Sequence, residues 1–328
     1  MKRYRIAIIG GGAAGLVCAL TLLRGGERDV VLLEKNDRVG KKLSQTGNGQ
    51  GNLTNVDMGV RHYFSSDLSI VSKVLEQFSE KDTEALFSSL GALTVADERG
   101  RVYPSSRQAS SLTDLLRFEL ERLGARLEIG REVVRLERGF VLTLSDGERL
   151  GADFVVQCTG GKAAKQFGTD GSAYALAKGF GHSLTPLFPA LVQCRADVGA
   201  LRSLKGIRSD VVLRCGDVAV RGDFMIADYG ITGDAVFRLS SYLADRGETT
   251  VYVEFLPDVS EETLLSLLKG KRAPQGELFC GVLNNQIGRY LCKAGGSIEG
   301  AVRLCKRFPV RVLGTLDFSH AQVTRGGV

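Results

Sequence analysis

The chain has 328 residues, 44% of them hydrophobic and 24% charged, with a formal net charge of +6. That is ample for a large core and more than one domain usually holds, so two or three domains are expected. Seven cysteines without a CxxC pair and only three histidines exclude a disulfide scaffold, a dithiol redox centre and a zinc site; the mild, interspersed charge calls for no nucleic acid. No apolar run reaches the roughly 20 residues of a membrane helix and the start lacks a signal-peptide layout. The expectation is therefore a cytoplasmic protein with no membrane partner and no metal.

In chain order, residues 5–9 form a near-continuous apolar strand, residues 13–23 have helix composition, and residues 30–34 (VVLLE) form a second buried strand. Together they predict a βαβ unit at the N-terminus. Residues 39–55 (VGKKLSQTGNGQGNLTN) are rich in Gly and Asn and read as a long ordered loop. The stretch KVLEQFSEKDTEALFSSLG reads as one helix with apolar spacing suited to packing. A further amphipathic helix is predicted over 111–123, burying Leu112, Leu115, Leu116, Phe118, Leu120 and Leu123. Short strands at 126–129, 133–136, 140–144 and 153–157, with a turn at 145–147, read as a meander returning to the main sheet. Near Pro186 and Pro189 the character changes: strands dominate 191–255, helices 260–306, and FPVRVLG returns to strand. The expected domains are 1–190, a Rossmann-like dinucleotide-binding domain; 191–257, the first part of a β-rich domain; 258–306, a helical subdomain; and 307–328, the rest of the β-rich domain and the start of a return to the first.

Gly10, Gly12 and Gly15 stand in the spacing GxGxxG between the first strand and the first helix. Gly10 permits a tight turn, Gly12 lets backbone approach a pyrophosphate, and Gly15 lets the helix pack on the strand; the diphosphate then meets unpaired N–H groups at the positive helix end. Glu34 follows 19 residues after Gly15, at the end of the second strand, where a carboxylate hydrogen-bonds adenosine ribose hydroxyls. The same acid repels a 2′-phosphate. NAD and FAD share this half-site, but an NAD domain proceeds to another βα repeat, whereas here a polar loop carries Lys41, Lys42, Thr46, Gly47, Gly49 and Gly51. Such a loop can reach back over a ribityl chain and flavin.

Through IAIIGGGAAGL, TGNGQGNLTN, GRVYPSSRQASSL, CTGGKAAKQFGTDGSAYALAKGFGHSLTPLFPALV, YGITGDAVFRLS, GVLNNQIGRYL and AQVTRGGV, nearly the whole chain resembles the BaiN-like or YhiN-like flavoproteins, also called aminoacetone oxidase family FAD-binding enzymes. The resemblance implies an α/β fold: a two-dinucleotide-binding-type FAD domain, with an inserted β-barrel domain and a helical subdomain. It implies that Gly10, Gly12, Ala13, Ala14 and Gly15 cradle the pyrophosphate, that Glu34 and Lys35 frame the ribose, and that Lys42, Thr46 and Gly47 belong to the cofactor site. Val133 would present its backbone to the adenine, and Thr159 and Gly160 match the ATG-type strand end beside the cofactor. Cys158 replaces the usual alanine there and reads as a small buried thiol. Gln50 and Gly51 replace an Arg and a Cys of the GRCN loop in many relatives. Relatives also continue past AQVTRGGV into a strand, a Gly-Asp motif and a helix, so the resemblance implies that a C-terminal FAD-domain segment is missing.

His182 reads as a helix-end or packing residue, Lys162 and Lys165 as a solvated face, and YGITGDAVFRLS as a turn that either joins domains or lines a cleft. No Ser-His-Asp set, metal cluster or paired acid calls for another chemistry, and no catalytic side chain is assignable. The expected function is an FAD-dependent oxidoreductase acting on a small molecule, with NAD(P)H as a candidate reductant. The alternatives are an FAD-dependent RNA-modifying enzyme and a shortened, non-catalytic dinucleotide-binding remnant. Oligomeric state is not legible.

Overall fold

In the computed structural model, which describes residues 1–65 and 67–328, the chain divides into two units: Met1–Pro186 with Gly327–Val328, and Leu187–Gly326. No helix among the described residues is long and apolar enough to cross a membrane.

The first unit is built on β1 (Lys2–Ile9), α1 (Ala13–Arg24) and β2 (Val30–Glu34). A small antiparallel sheet follows, with β3 (Thr54–Asn55), helices α2 (Ser69–Gln77) and α3 (Glu80–Ser89), β4 (Thr94–Ala96) and β5 (Arg101–Pro104). The chain then returns through α4 (Ala109–Arg122), β6 (Arg126–Ile129), β7 (Val133–Glu137), β8 (Val141–Leu144), β9 (Arg149–Gln157) and α5 (Tyr174–Gly179). The main sheet has the order β6-β2-β1-β9-β8-β7, parallel across its first four strands and antiparallel at β8 and β7. Parallel strands covered on both faces must be apolar on both, and all five residues of β2 are buried. One face packs Leu16, Leu20 and Leu23 of α1 against Leu112, Leu116 and Leu120 of α4. The other packs Ala7, Ile9 and Leu33 with Leu142, Leu144, Leu150 and Leu176.

Three sequence expectations are corrected here. Residues 126–129 do not belong to the meander: β6 pairs in parallel with β2 at the far edge of the sheet, because the 14-residue helix α4 provides the crossover that a parallel neighbour requires. Phe118 is 54% exposed; the buried stripe runs i, i+4, i+8 through Leu112, Leu116 and Leu120, which turns position 118 outward beneath the Arg117 guanidinium, 4.5 Å from its ring. The stretch from Lys73 to Gly91 is two helices. Ser79 accepts from Asp82 N–H at 3.3 Å while Asp82 accepts from Ser79 N–H at 2.7 Å, a capping box that starts α3 afresh.

The second unit begins with β10 (Phe188–Ala190), β11 (Cys194–Ala196), β12 (Arg208–Cys215), β13 (Val218–Ala227) and β14 (Gly230–Thr232). It continues through α6 (Asp234–Leu243), β15 (Thr249–Glu254), α7 (Glu261–Lys269), α8 (Asn285–Gly295), α9 (Ile298–Lys306), β16 (Phe308–Thr315) and β17 (Val323–Arg325). Six strands close a barrel in the order β11-β14-β13-β12-β15-β16, so no edge is left open. Alternate residues such as Val211, Leu213, Val251, Val253, Val310 and Val312 join α6 to α9 in one core. Ser260, Asn284 and Ser297 cap α7, α8 and α9 through their side chains. β10, placed in the first domain by sequence reading, pairs antiparallel with β17 within this unit.

Candidate dinucleotide site

The first unit carries a cavity of about 510 Å³ at the C-terminal ends of β1, β2 and β9, where open α/β sheets bind ligands. The three strand ends are tied together: Gly10 N–H donates to Leu33 O at 2.8 Å and Cys158 N–H to Ile9 O at 2.7 Å.

The three glycines of the turn differ in what demands them. Gly10 has φ +105°, and a Cβ there would lie 2.5 Å from Cys158 O; a Cβ at Gly15 would lie 1.9 Å from Gly10 O. Both positions are required by the packing of the chain itself. Gly12 has φ −77° and a Cβ on it would meet nothing within 4 Å. Its smallness serves nothing inside the protein, and the space beside it is the cavity. Helix α1 starts there with no side-chain cap and no acid in its first turn, leaving Ala13 and Ala14 exposed on the cavity wall. Its first N–H groups are donors for an anion.

Glu34 is 7% exposed and lines the cavity. Its Oε2 accepts from Gly11 N–H at 2.7 Å, and its Oε1 accepts from Asn36 N–H at 2.8 Å and Asn36 Nδ2 at 2.6 Å. A carboxylate has about four acceptor positions, so one is left for a ribose hydroxyl. Lys35 lies on the wall, 3.2 Å from Asp170 and 3.9 Å from Glu132. Burial alone would raise the Asp170 pKa, but hydrogen bonds from Ser172 and Lys35 outweigh it and hold the group at about 2. Lys42 donates to Ala163 O at 3.2 Å, and burial pushes its ammonium below the ordinary lysine value. Thr46 lines the cavity with its hydroxyl turned back to Leu43 O at 2.9 Å.

Val133 opens β7 at the cavity wall, 8% exposed. Thr159 and Gly160 line the wall after β9, and Gly160 has φ +72°. Gly47 and Gly15 do not line the cavity. Gly47, at φ +58°, sits where a Cβ would meet Asn52 N at 2.9 Å and the Tyr103 ring at 3.1 Å, so it shapes the loop behind the site. The Cys158 thiol is pushed up to about 11 by burial, with Cys18 adding to the rise, as a packing residue requires.

Sequence reasoning missed Asn36, Asp170 and the turn at Ala163 and Ala164. Asn36 had a signal, since a polar residue two after a carboxylate at a strand end can bond it locally. Asp170 reaches the cavity wall only through the segment 161–173, and the turn at Ala163 and Ala164 touches the site only by accepting Lys42 at the Ala163 carbonyl. Taken together, an uncapped helix start, a turn open at Gly12, a carboxylate at the second strand end and a lysine on the wall fit an adenine dinucleotide.

This chain is similar to a protein of Clostridium scindens named 3-dehydro-bile acid delta(4,6)-reductase, 35% identical over 99% of this chain and 86% of that protein. It is also similar to a ribosomal RNA dihydrouridine synthase of Haemophilus influenzae, 26% identical over 98% of this chain and 85% of that protein. Among solved structures it resembles the open conformation of a flavocytochrome c3 fumarate reductase, 16% identical with TM-score 0.43, over 64% of this chain and 47% of that one. The family model described as HI0933-like protein Rossmann domain matches residues 4–328. With that match running along almost its whole length, the chain belongs to the HI0933-like Rossmann family.

Proposed function

We propose that this chain is an FAD-dependent oxidoreductase that reduces a small molecule, with NAD(P)H as the electron donor. It is an enzyme of the flavin-dependent kind, and the observation that carries the reading is Gly12: its side-chain direction is empty of protein and opens onto the cavity at the uncapped start of α1. Bound flavin supplies hydride and electron chemistry. The chain's own residues hold the dinucleotide at Gly10 to Ala14, receive a ribose hydroxyl at Glu34, and shield the cofactor's flanks with the loops at Lys42 to Thr46 and at Thr159 and Gly160. Of the two named relatives, one is called a 3-dehydro-bile acid delta(4,6)-reductase and the other a ribosomal RNA dihydrouridine synthase, names that both point to reduction of an unsaturated ring. The same reaction class is proposed for this chain, with a small molecule as the substrate.

The test is the absorption spectrum of the purified protein, followed by release and identification of its cofactor. FAD bands that bleach on anaerobic addition of NADH or NADPH support the reading; a colourless protein that takes up no FAD on titration removes it. A second reading, an RNA substrate, is favoured by the names of two relatives at 26% and 29% identity. Salt-sensitive binding of ribosomal RNA in a shift assay would favour it over the small molecule.

A further inference from the structure

Two segments of the first unit pack together beside the cavity and contain no acid: residues 41–55, which place Thr46 on the cavity wall, and residues 100–113. Ala109 N–H donates to Gly49 O at 2.7 Å and Leu53 N–H to Val102 O at 2.8 Å. The Tyr103 ring lies directly behind Gly47. The second segment therefore backs the loop that continues from Thr46.

Arg107 stands out in that segment. Its guanidinium is exposed, 4.3 Å from the centre of the buried Tyr103 ring, and has no carboxylate partner among the described residues. A cation seated on an aromatic face keeps N–H donors free for an oxyanion. The backbone beneath it has φ +51°, a left-handed conformation that glycine adopts freely and an arginine does not. Arg107 N–H donates to Pro104 O at 2.9 Å and closes the turn, but any residue with an N–H supplies that bond. The side chain thus strains the fold and makes no ion pair within it. It offers one uncompensated positive charge.

The charge count selects the anion. Arg101, whose guanidinium is 5.9 Å from the same ring, is already paired with Asp97 at 2.7 Å. A phosphate dianion calls for a second free cation; a carboxylate matches one guanidinium in both charge and fork geometry.

We infer that Arg107 is a specificity-determining residue that receives a carboxylate on the substrate, so that the ring compound reduced by this protein is a carboxylic acid. This rests on the function proposed above, in which Glu34 receives the ribose and the loop at Lys42 to Thr46 flanks the cofactor.

The experiment is calorimetric titration of the full chain with benzoate and with its neutral counterpart benzamide, for the unaltered protein, Arg107→Gln, Arg107→Lys and Arg107→Gly, with FAD content measured in each sample. Benzoate should bind the unaltered chain roughly tenfold more tightly than benzamide, the scale of a charge-assisted hydrogen bond. The Gln and Gly variants should lose that preference with benzamide unchanged, and Lys should keep part of it. Arg107→Gly, relieved of the left-handed strain, should melt no lower than the unaltered chain. In the unaltered protein, benzoate and not benzamide should slow phenylglyoxal labelling of Arg107, read by peptide mass spectrometry. Benzoate that binds no better than benzamide, or that leaves Arg107 labelling unchanged, overturns the inference. So does inorganic phosphate that protects Arg107 as well as benzoate does, and so does a Gly variant that melts lower, since the arginine would then serve the fold. A chain that holds FAD without the preference removes the carboxylate receptor and leaves the oxidoreductase reading standing; a chain that shows the preference yet takes up no FAD keeps Arg107 as the receptor and removes that reading.

Discussion

The Glu34 carboxylate accepts the Gly11 N–H at 2.7 Å, so the acid at the end of β2 braces the glycine turn at the end of β1. It does so while also binding Asn36 through its other oxygen. The carboxylate is therefore part of the fold as well as of the ligand site. Glu34→Ala should lower stability by about 1–3 kcal/mol, because it strands a buried N–H, and should weaken FAD binding as well. Glu34→Gln, which keeps an acceptor oxygen, should lose less of both. Urea unfolding and flavin fluorescence quenching measure the two effects; an Ala variant with the original unfolding midpoint would show that the Gly11 bond contributes nothing to the fold.

The turn glycines should separate fold from binding. Gly12→Ala is expected to change stability by no more than about 0.5 kcal/mol, since its Cβ enters open space at an ordinary φ, yet to abolish FAD binding. Gly15→Ala puts a Cβ 1.9 Å from Gly10 O, a backbone overlap that should cost about 3 kcal/mol or more. Equal melting temperatures for the two variants would contradict this division.

Asp170 titrates well below its ordinary value, at about 2. A carboxyl depressed in the folded state contributes stability that is fully present above its unfolded pKa near 3.8 and is lost as pH falls through the folded value. Acid should thus weaken the wall that Asp170 forms with Lys35 and Ser172 between pH 4 and pH 2. In urea unfolding across that window, Asp170→Asn should show a shallower decline than the unaltered chain. Parallel curves would mean that the carboxylate is as free in the folded protein as in the unfolded one.

Thiol reactivity should follow burial. Cys158 is pushed up to about 11, and Cys194 and Cys305 to about 12, in each case chiefly by desolvation, whereas Cys280 is exposed. Since the thiolate is the nucleophile, iodoacetamide at pH 7.5 should label Cys280 first and leave the other three intact while the protein is folded. Peptide mass spectrometry reads this directly, and early labelling of Cys158 would make it a reactive group beside the cofactor cavity.

The N-terminal βαβ unit was legible because its strands are apolar on both faces and its helix is bounded by glycines, signals contained in 35 residues. Partners were not. The run at 126–129 has the same period as its neighbours, and only the crossover through α4 decides that it joins β2 and not β7. Ser79 could end one helix and begin the next without a break in apolar spacing, because Phe78 sits in the expected phase. At the site, the glycines, Glu34 and the loop from Lys41 to Thr46 announced themselves locally. Which cations are neutralised did not, since the acids that neutralise Lys35 and Arg131 arrive from positions as distant as Asp170 and Glu148. Nor could spacing reveal that Gly47 shapes the loop from behind the cavity, whereas the packing role of Gly15 was legible in the glycine spacing itself.

The seat of β9 beside β1 also sets an order of events during synthesis. Arg3 pairs with Asp153, 150 positions later, and β1 has β9 as its neighbour along Lys2 to Ile9. At about 5–20 residues per second, a ribosome needs roughly 8–30 s to deliver the missing partner. Throughout that interval one side of the first strand is an open edge of apolar residues, so the nascent glycine turn emerges early but lacks the Cys158 and Thr159 wall that completes it. Until residues 158–160 have been made the cavity lacks the wall that follows β9, so a chain released before that point cannot complete the site around its glycine turn.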